Sequence, residues 1–335
     1  MKSGREYGAI KVPTSLVSHI ICIIAAVAMV VIASIYFTPE IEHFRGIVHL
    51  QIPEEWLVSN MAITINIVIM ILLTFVISSI ANKYSLTTLL SLFPSLFFIM
   101  LQCCNPSILQ SFNIGLIGAT SVLVTTYYLF ENYGRRDVEG MVFSTTFILC
   151  ASTILWDKII FFIPLFWIGM AQINILSLKN ASASLLAIAT AVFIFWASSY
   201  LGWEYFDFNS SWESIKSVIL LEDYNSINRK SLYDILYLIP ILIVVGIYNF
   251  TNLYADSHEK ISIKRYVQFL NSVLLTTLLL IAFNPLNINS YMPIFNSSAA
   301  LLAAHYFNSI KSKGKLRLLY LIILIYFTSY IVWIL

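Results

Sequence analysis

Glu40 and Glu42 stand two residues apart, with His43 and Arg45 just after them, where the first long apolar run gives way to polar sequence. Paired carboxylates beside an imidazole and a guanidinium hold the parts for group transfer from a phosphorylated donor. A carboxylate can act as general base or hold a divalent metal, and an arginine can steady a pyrophosphate. Asp157 and Lys158 form a second pair of opposite charge in a short polar break between two apolar runs. We therefore expect Glu40, Glu42 and Asp157 as the catalytic group and His43, Arg45 and Lys158 as substrate-binding residues. The competing expectation is that all six are solvated loop residues or helix ends. No Gly-rich phosphate loop, HExxH or serine elbow occurs, so no cofactor is expected, and the sequence leaves a metal open.

Positioning these residues falls to apolar helices. Of 335 residues, 59% are hydrophobic and 11% charged, against about 25% charged in soluble domains, and the mean hydropathy is +0.84. Eleven apolar segments, at 14–37, 58–80, 86–104, 110–130, 141–156, 159–178, 183–203, 231–253, 265–283, 291–309 and 316–334, cover most of the chain. Most have the roughly 20 residues that cross about 30 Å of hydrocarbon. The segment at 141–156 is short, and with 159–178 it reads either as two crossings or as a re-entrant pair. The expected fold is all-α: a polytopic integral membrane helix bundle of about 11 transmembrane helices, a single domain over 1–335. With the N-terminus inside, about 14 of the 19 Lys and Arg fall on the inner side, as the positive-inside bias requires, and the C-terminus lies outside. The first segment reads as a retained signal anchor. No basic domain of the kind that tracks nucleic acid is present.

Two outer loops are long, 38–57 and 204–230. In the second, Ser210 and Glu213 fit a capping box, and Trp212, Ile215, Val218 and Ile219 share one face of an interfacial amphipathic helix. Pro94, Pro164 and Pro240 fall inside segments and imply kinks. Small residues four apart, such as Ser111, Gly115 and Ala119, mark close helix packing. The runs Pro94 to Gln102 and Pro164 to Gln172 resemble each other and run in opposite directions, as an inverted repeat would. No carboxylate or cation lies in the middle of a segment. Asn66, Gln172 and Asn271 instead read as interhelical hydrogen-bond partners or as the lining of a polar cavity. The four cysteines read as small apolar packing residues.

The Ile-Pro-Leu-Phe-Trp run within 156–194, the turn Leu178-Lys179-Asn180 before an Ala/Ser-rich helix, and Ala-Ala-His-Tyr-Phe ahead of a basic turn near Lys315 resemble an uncharacterised family of polytopic bacterial inner-membrane proteins. A cytoplasmic N-terminus followed by acids in the first outer loop is also similar to membrane glycosyltransferases that use polyprenyl-phosphate sugars. The loop here, 38–57, is shorter than theirs. Those resemblances imply the bacterial cytoplasmic (inner) membrane and cell-envelope assembly, with membrane lipids and a lipid-linked glycan as partners. An enzyme related to glycosyltransferases or polysaccharide polymerases, acting at the outer face, is the leading expectation. A transporter or flippase for a neutral or amphipathic solute and a non-catalytic membrane scaffold are the alternatives.

Overall fold

The structure, a computed structural model, describes residues 16–36, 46, 57–87, 91–200, 208–220, 229–254, 260–308 and 313–334. Among them the α-helices are α1 Leu16–Tyr36, α2 Asn60–Lys83, α3 Phe93–Cys103, α4 Pro106–Leu109, α5 Ile114–Glu131, α6 Glu139–Ser152, α7 Phe162–Gln172, α8 Leu178–Tyr200, α9 Phe208–Leu220, α10 Arg229–Tyr254, α11 Ile261–Phe283, α12 Ile288–Asn308 and α13 Lys313–Ile334. A 3-10 turn, Asp157–Phe161, leads into α7. No strand occurs among the described residues. The fold is all-α, as expected, and each of the eleven apolar segments contains a helix. Six stretches are long and apolar enough to cross a membrane: Asn60–Lys83, Ile114–Glu131, Leu178–Ser198, Tyr233–Phe250, Ile261–Phe283 and Arg317–Ile334.

The bundle is built around α12. Every residue from Ser290 to Ala304 is buried, and α12 packs on α3, α5, α10 and α11. That enclosure explains its mixed composition. A helix that touches only protein can carry Asn289, Ser290, Asn296, Ser297 and Ser298, because its neighbours and not lipid set the solvent. α8, α13 and α2 sit at the rim and present apolar faces outward. Leu185, Leu186 and Phe193 of α8 and Phe75 of α2 are exposed, as lipid-facing side chains are.

Three segments are shorter than their apolar runs. α3 and α7 have 11 residues each and α6 has 14. At about 1.5 Å per residue, 11 residues reach roughly half of a 30 Å hydrocarbon layer. Here the expected kinks are corrected. Pro94 and Pro164 lie in the first turns of α3 and α7, where no intrahelical N–H bond is lost, so they begin helices instead of bending them. Pro240 does lie inside α10. The two resembling runs fall on these two half-length helices. α3 starts beside Phe307 at one end of α12, whereas the turn leading into α7 packs Trp156 against Tyr291 at the other end. The two therefore run in opposite directions.

Candidate functional site

α3 stops at mid-depth, and the chain from Cys104 to Asn113 continues as buried, largely non-helical backbone. Such backbone needs partners for each of its polar groups, and side chains of the bundle supply them. Asn66 of α2 donates through Nδ2 to Leu109 O at 3.2 Å and Ser111 O at 2.6 Å, and its Oδ1 accepts from Asn113 N at 3.2 Å. Asn113 caps α5 through Gly115 N at 2.8 Å and donates to Ile108 O and, on α12, Asn289 O. Gly115 permits that approach, since a Cβ there would overlap the Ser290 carbonyl oxygen. Asn105 caps α4 through Ser107 N at 3.0 Å. The Tyr237 hydroxyl donates to Leu101 O, a carbonyl near the end of α3.

A cavity of about 320 Å3 opens at this break, walled by Cys104 and Asn105, by Tyr233 to Pro240 of α10, and by Ile325 to Trp333 of α13. Its floor is polar. Asp234 is 4% exposed and accepts at Oδ1 from Asn105 Nδ2 at 2.9 Å. Because the Asn105 oxygen is held by its capping bond, its amide is fixed with the NH2 toward the carboxylate. Aromatic rings form the walls: Tyr233 lies 5.2 Å from Trp333, and Tyr237 lies 5.0 Å edge-on to Tyr326. The mouth is lateral. Leu236 and Val332 line the cavity yet are 49% and 58% exposed on the outer surface of the bundle. Asp234 is absent from the expected site, although its sequence carries a signal: an Asp in the first turns of an apolar helix, one residue after Tyr233 and three before Tyr237.

The expected site residues divide. Glu40, Glu42, His43 and Arg45 lie outside the described residues. Asp157 and Lys158 are buried, 1% and 5% exposed, and they hold α9. Lys158 Nζ lies 3.5 Å from Asp157 Oδ1 and donates to Ser214 O at 2.7 Å and Ser214 Oγ at 2.5 Å. Burial pushes the Asp157 carboxyl above the ordinary carboxylate range, although Lys158 and the Ser214 hydroxyl act to lower it. The group is thus a protonatable carboxyl beside an ammonium and a hydroxyl, under a helix and not facing solvent. α9 begins at Phe208, ahead of the expected cap at Ser210. Val218 faces the bundle, while Trp212 is 64% exposed, so the two do not share the face expected for them.

One residue joins the segment 38–57 to this turn. Gly46 packs so closely on the turn before Trp156 that a Cβ would overlap the Ile154 carbonyl oxygen. The chain one residue beyond Arg45 is therefore fixed three residues before Asp157.

The other polar groups within the helices serve packing. Gln172 Nε2 donates to Ser272 Oγ at 2.8 Å, and Asn249 and Asn271 exchange amide hydrogen bonds at 3.1 and 3.0 Å. His305 Nδ1 meets Leu86 O at 2.9 Å. At that same end Lys83 pairs with Glu131 and donates to the Tyr127 hydroxyl at 2.8 Å. The four cysteines are free thiols: Cys103, Cys104 and Cys150 are buried and Cys22 is exposed. No group of three metal-ligating side chains occurs among the described residues. Comparisons with protein-family models, with curated proteins and with solved structures find no match to this chain.

Proposed function

We propose that this chain is an envelope-assembly protein of the bacterial cytoplasmic membrane that handles an amphipathic substrate, a lipid or a lipid-linked glycan, at the outer face. In this proposal it crosses the bilayer about eleven times, N-terminus inside and C-terminus outside, with the short helices α3, α6 and α7 completed by the turns that adjoin them. The alternation of ends supports that path. Leu86 meets His305, Gly134 N donates to Ile173 O, and Lys83 meets Glu131 at one end. Asn113 meets Asn289, Trp156 meets Tyr291, and Asn105 meets Asp234 toward the other.

The carrying observation is the side-opening cavity with a carboxylate floor. An apolar mouth facing outward between α10 and α13 suits a hydrocarbon tail, and the Asp234–Asn105 pair suits a polar head. A transport route would instead run among Asn66, Gln172 and Asn271; Asn66 and Asn271 are committed to hydrogen bonds that hold helices and backbone together, and Gln172 donates to Ser272. The test is photolabelling of the full chain in lipid nanodiscs with a lipid carrying a diazirine in its tail. The expected adducts lie on 233–240 and 325–333, and Thr328→Trp, which fills the cavity, removes them. Adducts confined to other helices, or unchanged in Thr328→Trp, overturn the proposal. Glu40→Ala with Glu42→Ala should abolish glycan assembly. Full activity at normal expression removes that acid pair from the site.

A further inference from the structure

We infer that the basic corner where the turn between α5 and α6 meets the start of α11 binds the headgroup of an anionic phospholipid, with an acyl chain laid along the exposed face of α11. The topology proposed above places this corner inside. The inference does not depend on the cavity between α10 and α13 and stands whether or not that cavity takes a lipid.

Contacts between neighbouring connections assemble the corner. Gly134, at φ +71°, turns the chain after α5, and its N–H donates to Ile173 O, just past the end of α7, at 3.2 Å. Asn180 of α8 donates through Nδ2 to Arg136 O at 3.0 Å. The ring of Tyr133 lies edge-on to that of Tyr266 on α11, with 5.6 Å between centroids. Gln172, next to Ile173, donates to Ser272 of α11 at 2.8 Å. Arg135 and Arg136 therefore stand at the same end of the bundle as Lys264 and Arg265, across the seam between α7 and α11. Arg135, Arg136, Lys260 and Lys264 are exposed and Arg265 is half-buried.

The charges there are not balanced by the fold. Other cations at this end have carboxylate partners: Lys83 pairs with Glu131, and Lys179 lies 3.9 Å from Asp137. Glu131 also attracts Arg135 while it is paired with Lys83. Among the described residues no ion pair or side-chain hydrogen bond engages Arg136, Lys260 or Lys264, and Arg265 gives one N–H to Gln268 Oε1 at 3.3 Å. Asp256 and Glu259 lie outside the described residues. The first turn of α11 contains no acid, and Lys260 at its N-cap makes no side-chain capping bond. The positive end of a helix dipole disfavours cations, so these lysines are placed against it. An external anion relieves both repulsions at once, and a phosphodiester at the bilayer surface is the anion that such basic sites between membrane helices meet.

The face below the charges identifies the ligand as a lipid. Lys264, Gln268, Leu275 and Leu279 fall within about 60° of one another around the helix axis, and all four are exposed. From the end inward the surface runs from ammonium to amide to leucine, with Leu275 about 10 Å beyond Gln268. A phospholipid presents phosphate, ester and hydrocarbon in the same order. Across the seam, α7 packs so closely that a Cβ on Gly169 would overlap the Phe269 ring, and the neighbouring Ile168 is 51% exposed. That side chain extends the apolar strip on which a chain can lie. A zwitterionic lipid would bring its own cation to a corner that already carries an excess of them.

The test uses the full chain in an amine-oxide detergent and native mass spectrometry. The probes are dioleoyl phosphatidylglycerol, dioleoyl phosphatidylcholine and glycerophosphoglycerol, which is the anionic head without chains. The expected result is retention of phosphatidylglycerol in preference to phosphatidylcholine, weakened at least about tenfold in Arg136→Gln with Lys264→Gln. Both side chains are exposed, so the double variant keeps the fold. Arg317→Gln removes an exposed cation of α13 and should leave retention unchanged. Equal retention of the two lipids, retention of neither, no loss in the double variant, or the same loss in Arg317→Gln overturns the site. Glycerophosphoglycerol retained as well as the intact lipid overturns the part given to the apolar face of α11.

Discussion

Replacing Asn66 by leucine tests whether the irregular backbone after α3 is held as described. The side chain is fully buried, and leucine has the same branching and number of side-chain heavy atoms, so the change removes the hydrogen bonds while keeping the shape. Three bonds go: those from Nδ2 to Leu109 O and Ser111 O, and that from Asn113 N to Oδ1. Each buried polar group left unsatisfied costs about 1–3 kcal/mol. Hydrogen bonds between membrane helices are worth less, about 0.6 kcal/mol on average, because side chains find other partners in the unfolded state. The partners here are main-chain groups at and beyond the end of the single turn α4, so they find none while the fold persists. The expected loss is about 3–5 kcal/mol. Asn66→Asp keeps the acceptor for Asn113 N, loses both donors and buries a charge, so it should be worse. Unfolding in mixed micelles with rising dodecyl sulfate, followed by tryptophan fluorescence, measures the loss. Hydrogen exchange should rise first at 104–113. A loss below about 1 kcal/mol, or exchange spread evenly over the chain, would refute the stapling role.

Lys158→Met should cost about 3–5 kcal/mol, because it leaves the buried Asp157 without its ammonium, whereas Lys158→Met with Asp157→Leu should cost less than either alone. Equal or additive losses would refute the coupling. Asp157 should also impose a pH slope. Burial raises its carboxyl, so the native state keeps the proton to higher pH than the unfolded chain. Its contribution is complete below the ordinary carboxylate pKa and declines as pH rises through the raised value, and Asp157→Asn removes that slope in pH-resolved unfolding. Gly115→Ala drives a methyl into the Ser290 carbonyl and should destabilise by about 1–3 kcal/mol in the same assay.

Fold class was legible because its cause is local: apolar runs of crossing length with few charges need no knowledge of neighbours. The lengths of α3 and α7 were not. Leu92 and Phe161 are as apolar as the helices they precede, and hydropathy does not distinguish helical backbone from other backbone in a protein interior. The prolines held the signal, since Pro94 and Pro164 mark where a helix starts as readily as where one bends. The centrality of α12 was hidden for a related reason. Burial on all sides relaxes the demand for apolarity, so the most enclosed helix reads as one of the more polar ones. At the site, pairing of Asp157 with Lys158 followed from adjacency, but their burial under α9 depends on Ser214, 56 residues away. Asp234 gains its meaning from Asn105, 129 residues away, and no periodicity reports such a pair.

The two half-length helices end in the same device with different consequences. After α3, Asn66 donates to two carbonyls of the non-helical segment. After α7, Asn180 Nδ2 donates to one carbonyl of the following segment, Ile175 O at 2.6 Å, and to Arg136 O at 3.0 Å in the connection between α5 and α6. An asparagine amide thus bonds main-chain carbonyls after each of the two helices. The break after α7 is closed: Ile173 and Ile175 fill it and are buried. At the break after α3, the facing wall comes from α10 and α13, which meet through Tyr233 and Trp333 at the mouth and through Tyr237 and Tyr326 deeper down. Large rings at two levels hold the helices apart between them, and the shorter side chains Leu236, Thr328 and Ser329 leave that space open. The asymmetry therefore comes from the part of the chain that lies outside the repeat. Substitutions on α10 and α13 should change what is bound, while those at Asn66 and Asn180 should change whether the chain folds.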